Sequence, residues 1–188
     1  MIRFGGSVLA LMLAAGTGSA AGQVRGLPVI NSGPGIGIGI GGEVGMANED
    51  AGGGTTYGAN IALSAGIFSI SGAVSRGAPD GNDDIWSQGA TLSMRVIGGP
   101  FVPIHVTAQA GAGRWEVADI TTTHVPVSLG IAATIPNPMF AIKPWLSPRV
   151  SFNRVNAAGN TETSSDFAIS GGIELGFLNG MTLRAAYD

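Results

Sequence analysis

The chain has 188 residues, enough for a single domain, and charged residues supply only 11% of them, against roughly a quarter in ordinary soluble domains. A net charge of -3 without any Lys/Arg cluster argues against a nucleic-acid partner. A positive mean hydropathy carried alongside 32 glycines suits neither a soluble helical bundle nor a disordered tail.

Residues 1–22 read as a cleaved secretory signal, and residues 23–188 as the mature domain. Arg3 supplies the basic start, Val8 to Ala15 a short apolar core, and Gly18-Ser19-Ala20-Ala21 small residues for cleavage. That apolar core is shorter than the ~20 residues a membrane-spanning helix needs. The chain has no cysteine, so no disulfide supports an exported fold. Residues 23–34 have no clear period and read as a loosely held, extended lead-in.

Gly35 to Met46, GIGIGIGGEVGM, sets the pattern for the rest. Ile36, Ile38, Ile40, Val44 and Met46 fall on one face, and Gly37, Gly39, Gly41, Glu43 and Gly45 on the other. Alternation of this kind is a strand period, because successive side chains leave opposite sides of the pleat. Further strands are predicted at 55–65, 67–76, 86–97, 104 to about 115, about 121–134, 140–154, 166–177 and 181–188. The parity slips near Arg114-Trp115, which predicts a bulge or a strand end there. Pro126, Pro144 and Pro148 predict a local break in the ladder between the strands at 121–134 and 140–154.

Polar loops at 47–54, 77–85 and 155–164 alternate with short turns at 65–66, 98–103, 135–139 and 178–180. Aromatic residues of the apolar parity stand at strand ends. Tyr57, Trp86, Phe152 and Phe167 adjoin the loops, and Phe68, Phe140 and Phe177 adjoin the turns, as an interfacial girdle would. Within the strands Glu43, Arg95, Arg149, Glu174 and Arg184 all take the polar parity. An arginine facing lipid at mid-membrane costs about 2–4 kcal/mol, so this sorting is expected of a lumen. Pairing across 178–180 sets Glu174 opposite Arg184, with Arg95 also near the turn end and Glu43 and Arg149 near the loop end. A charge network of this kind either fills a narrow interior or forms the selectivity ring of a small pore; the former is favoured because eight to ten strands enclose little space.

Together these features resemble the small bacterial outer-membrane β-barrels of the OmpA/OmpX-like family. The resemblance implies an all-β, antiparallel, up-and-down transmembrane barrel of Gram-negative bacteria, with both termini on the periplasmic side. Outer-membrane lipid and the barrel assembly machinery are its implied partners. Nine strands are legible where such barrels have an even number. Either one segment is split too many or the chain lacks its last strand; a ten-stranded barrel without its final strand is favoured over an eight-stranded one. The strand at 35–46 is expected to form the seam with the final strand.

Candidate chemistry is sparse. Gly37-Ile38-Gly39-Ile40-Gly41-Gly42 has the G-x-G-x-x-G form, but the strand period continues where a dinucleotide site needs a helix, so the glycines are read as thinning the inner wall. Asp80, Asn82 and Asp84 begin like a calcium loop, yet Ile85 holds the position that needs glycine, and no metal site is expected. His105, His124 and Ser128 lack any nucleophile signature, so no catalytic residue and no cofactor are assigned. The expected function is a structural anchor or a surface-interaction protein of the outer membrane. The alternatives are a porin-like passage for small solutes and a soluble secreted β-sandwich or lipid carrier. No surface ligand follows from the residues.

Overall fold

The computed structural model describes residues 9–15, 24–46, 54–78, 84–99, 102–157, 160–177 and 181–187, with the side chains of 9–15 outside the description. The proposed cleavage site, most of the 47–54 loop, Asp80, Asn82 and the 178–180 turn therefore lie outside the described residues.

The strands are β1 (Leu9–Ala15), β2 (Gly37–Met46), β3 (Thr55–Ala65), β4 (Phe68–Ala78), β5 (Ile85–Ile97), β6 (Ile104–Val117), β7 (Ile120–Ala133), β8 (Ile135–Pro136), β9 (Phe140–Ala157), β10 (Asn160–Phe177) and β11 (Met181–Tyr187). All belong to one antiparallel sheet. β2 to β7 pair each with the next, β7 pairs with β9, β9 with β10, and β10 with β11. β1 then pairs on one side with β11 and on the other with β2. The ring of pairings is complete only through β1; without it β2 and β11 are two open edges. The two-residue β8 is a spur on β9.

The alternation expected from the sequence sorts the two faces. Ile36, Ile38, Ile70, Leu92, Leu129 and Phe167 stand outward and exposed, Ile36 at 81%. Ser71, Ser75, Thr91, Gln109, Ser128 and Ser170 point inward and are buried. The distribution is the inverse of a soluble core, in which large aliphatic side chains are inside. All seven girdle aromatics take the outward parity. Phe140, which pairs directly with Phe177, is half-buried, and the others are exposed.

Three expectations need correction. Residues 155–164 are not an open loop: β9 and β10 pair from Asn160↔Ala157 down to Phe177↔Phe140. The Thr- and Ser-rich composition there marks a polar ladder rather than a coil, because threonine suits the pleat while the backbone groups satisfy one another. Of the bulge or strand end expected near Arg114-Trp115, the bulge is absent and the strand end is present, with the β5 ladder stopping at Trp115 and β6 at Val117. β6 keeps one register with β7 to Val117↔Ile120, and the register shift lies instead between Arg95 and Ile97 on β5. The hairpin closes through Ala118 (φ 48°) and Asp119 (φ 66°), both left-handed as a two-residue turn requires. Part of the expected turn at 135–139 is the spur β8. Finally, β2 does not meet the last strand directly, because β1 lies between them.

The proline expectation is met. The β7–β9 ladder runs to Ser128↔Arg149 and resumes at Ile131↔Leu146, skipping the positions opposite Ser147 and Pro148. The β6–β7 ladder likewise skips the positions next to Pro126, which is fully buried.

Candidate functional site

The lumen is filled by the chain's own residues 24–34, the stretch expected to be a loose lead-in. Val24 and every residue from Leu27 to Pro34 are buried. The segment enters beside Ser75 and Ser87, near the loop end of β4 and β5, and leaves beside Arg95 and His105 at the turn end. There Gly35, Ile36 and Gly37 reverse it into β2. Gly26 (φ 78°) and Gly33 (φ 93°) supply left-handed bends that an L-residue rarely adopts.

No strand ladder holds this segment. Wall side chains reach its main chain instead. The Arg25 amide donates to Ser87 Oγ at 3.0 Å, and Ser75 Oγ donates to the Arg25 carbonyl at 3.1 Å. Ser170 Oγ donates to the Val29 carbonyl at 2.7 Å. His105 Nε2 lies 3.0 Å from the Ser32 carbonyl, to which it must donate, and Arg95 Nη2 donates to the Pro34 carbonyl at 2.9 Å. The segment's own side chains answer: Asn31 Nδ2 donates to the Thr107 carbonyl and to Ser128 Oγ, both at 3.1 Å, and Ser32 Oγ donates to Glu174 Oε2 at 2.9 Å. Each such bond contributes about 1 kcal/mol net, but leaving any of these buried groups unpaired costs about 1–3 kcal/mol.

Two small apolar clusters complete the fit. Val24 and Leu27 meet Ala73, and Ile30 meets Ala132, Trp145 and Ala186. The inward glycines are hollows for this segment. A Cβ built on Gly45 or Gly130 would overlap the carbonyl oxygen of Gly26 or of Asn31, and one on Gly58 would lie 2.5 Å from Leu27 Cδ1. The glycine-thinned wall inferred from the sequence is therefore occupied space, and the G-x-G-x-x-G stretch is plain strand.

Four of the lumen charges are linked by register. Glu43 and Arg184 both align with Met12 of β1, Arg184 aligns with Glu174, and Glu174 with Lys143. Glu43 keeps its expected place toward the loop end of β2, in the register row of Ser75 and Ser87, and the stagger across β1 brings that row round to Arg184. The predicted Glu174–Arg184 opposition is present: Arg184 Nε lies 2.6 Å from Glu174 Oε2, and Lys143 Nζ lies 2.8 Å from Glu174 Oε1. Lys143, not singled out from the sequence, shares the parity of Arg149 and could have been added to the set on that ground. Asn60 Nδ2 donates to Glu43 Oε1 across the β2–β3 pair. Arg95 holds the lumen segment, and Arg149 stands opposite Ser128 and Ala168 in register.

The histidines and Ser128 are not gathered into a reactive set. His105 lies near the turn end, Ser128 is engaged by Asn31, and His124 lies near the loop end. There His124 Nδ1 is 2.7 Å from Asn153 Oδ1, Asn153 Nδ2 donates to Asp166 Oδ2 at 2.8 Å, and the Trp115 ring packs 6.1 Å from the imidazole. Asp84 is held by Arg76 in an exposed ion pair. A scan against protein-family models and a search of curated proteins both return no match for this chain.

Proposed function

We propose that this chain is an exported outer-membrane barrel with a structural, anchoring or surface-interaction role, closed to solutes by its own residues 24–34, and not an enzyme. Residues 1–22 carry the features of an export signal, and Leu9–Ala15 within them is also wall strand β1, so cleavage after this stretch would leave β2 and β11 to meet directly or to stay open. The single observation that carries this reading is the inverted distribution of side chains: large aliphatic and aromatic residues cover the outer wall, while serine, threonine and paired charges fill the inside. An exposed apolar surface of this extent is tolerated where lipid covers it, whereas a soluble lipid carrier needs its apolar face inside. Detergent-dependent extraction from membranes and a heat-modifiable gel shift test it; a protein that stays in buffer without detergent contradicts it.

A second reading is a small pore opened when the segment moves. It is favoured by the way the segment is held, through side chains that can exchange their bonds for water without breaking a strand ladder. In planar bilayers the intact chain is expected to be silent. A chain lacking residues 24–34 conducts if this second reading holds.

A further inference from the structure

Among the described residues, the outer wall carries basic side chains at one end only. Arg76, Arg114 and Arg154 stand outward and exposed on the loop-end halves of β4, β6 and β9. Among the described residues, no charged side chain takes the outward parity on the turn-end halves. Arg76 is committed to Asp84, whereas Arg114 and Arg154 make no hydrogen bond or ion pair among the described residues. The nearest outward acid, Glu116, lies one outward position beyond Arg114 toward the loop end and faces Thr121.

Register places these two arginines in one row. Arg114 is opposite Thr123, and Thr123 is opposite Arg154, so the two Cα atoms are two ladder steps apart, about 10 Å. Gln88 and Thr163 continue the row on either side. One outward position below it the wall turns apolar, with Ala112, Val125 and Phe152. Further down, a groove of about 800 Å³ crosses the same strands, lined by Ala108, Ala110, Val127, Leu129, Val150 and Phe152. Alanines on β6 between larger neighbours make the hollow.

We propose that this face binds one lipid of net negative headgroup, its phosphate, not neutralised by a headgroup cation, held by Arg114 and Arg154 and an acyl chain lying in the groove beneath. Guanidinium groups suit phosphate because their planar N–H forks match its oxygens, and a long side chain at the rim carries its charge to the headgroup level while its stem covers apolar surface. The confinement of free arginines to one rim argues for headgroups of that chemistry on that side alone.

This inference rests on the membrane reading, and one experiment separates the two failures. The detergent-purified chain is incubated with lipid A, with phosphatidylglycerol or with phosphatidylcholine, and retained lipid is counted by native mass spectrometry. The phosphorylated, anionic lipids should be retained over phosphatidylcholine, and Arg114→Gln/Arg154→Gln should lower their retention about tenfold or more while the heat-modifiable band persists. Ala110→Phe, which fills the groove and leaves both arginines in place, should lower retention as well. Equal retention of phosphatidylcholine, an unchanged double variant, or binding of inorganic phosphate that competes fully with lipid A would each overturn the proposal. A protein that needs no detergent would instead overturn the membrane reading itself.

Discussion

Gly130 of β7 lies against the main chain of Asn31, and a methyl group built at Gly130 would overlap the Asn31 carbonyl oxygen. The wall residue is small because the lumen segment passes over it. Gly130→Leu should therefore displace the segment at a cost of about 1–3 kcal/mol, since neither backbone can give way cheaply. Trypsin cleavage after Arg25, slow while Ser75 and Ser87 hold that residue's main chain, should quicken about tenfold as the segment opens locally. Gly176→Ala, where an added Cβ meets nothing within 4 Å, should leave the rate unchanged.

Glu174 links two bases and the lumen segment at once. Its oxygens face Arg184 Nε, Lys143 Nζ and Ser32 Oγ, and Arg184 is 1% exposed. Glu174→Gln puts a neutral amide before the buried Arg184 and the half-buried Lys143, and removing one partner of a buried pair costs about 3–5 kcal/mol. Urea unfolding in detergent should show that loss. A Glu174→Leu/Arg184→Leu pair should lose much less than the sum of its single changes, because it removes both charges together.

Ala118 holds a left-handed conformation at φ 48°, where an L-residue with a Cβ is strained by about 1–2 kcal/mol. Ala118→Gly should raise the unfolding midpoint in urea. Asp119, whose side chain tolerates that region better, should gain less from the same replacement.

The slot between β2 and β11 is one strand wide, and Leu9–Ala15 fills it. A chain of residues 1–188 refolded from urea into detergent should give a compact monomeric band. A chain of residues 23–188 presents two unpaired edges and should elute as a larger species, through edge-to-edge pairing with a second copy. Identical compact monomers from both chains would show that the slot closes without β1.

Most of the wall was legible in the residues, because strand period and face sorting are local properties. The isoleucines and glycines of β2 declare their faces within a dozen positions, and counting back across 178–180 was enough to set Glu174 against Arg184. The lumen segment was not legible in that way. Residues 24–34 have no period, and their partners Ser75, Thr107, Ser128 and Ser170 lie far along the chain on four separate strands. One signal for it did exist: glycines at inward positions 45, 58 and 130 leave space that a narrow barrel does not leave empty. Polar composition misled at 155–164, where threonines and serines extend a hairpin past the apolar belt, and it hid the outward row formed by Arg114 and Arg154.

If lipid covers the outer wall while the chain itself fills the interior, two tryptophans should report opposite surroundings. Trp86 stands outward at 64% exposure, and Trp145 points inward at 5%, against Ile30. Chains keeping only one of these tryptophans, the other two replaced by phenylalanine, are reconstituted into phosphatidylcholine vesicles brominated near the headgroup end of the acyl chain. The fluorescence of Trp86 should be strongly quenched and that of Trp145 nearly untouched. Quenching of Trp145 with Trp86 spared, or of neither, would contradict this account.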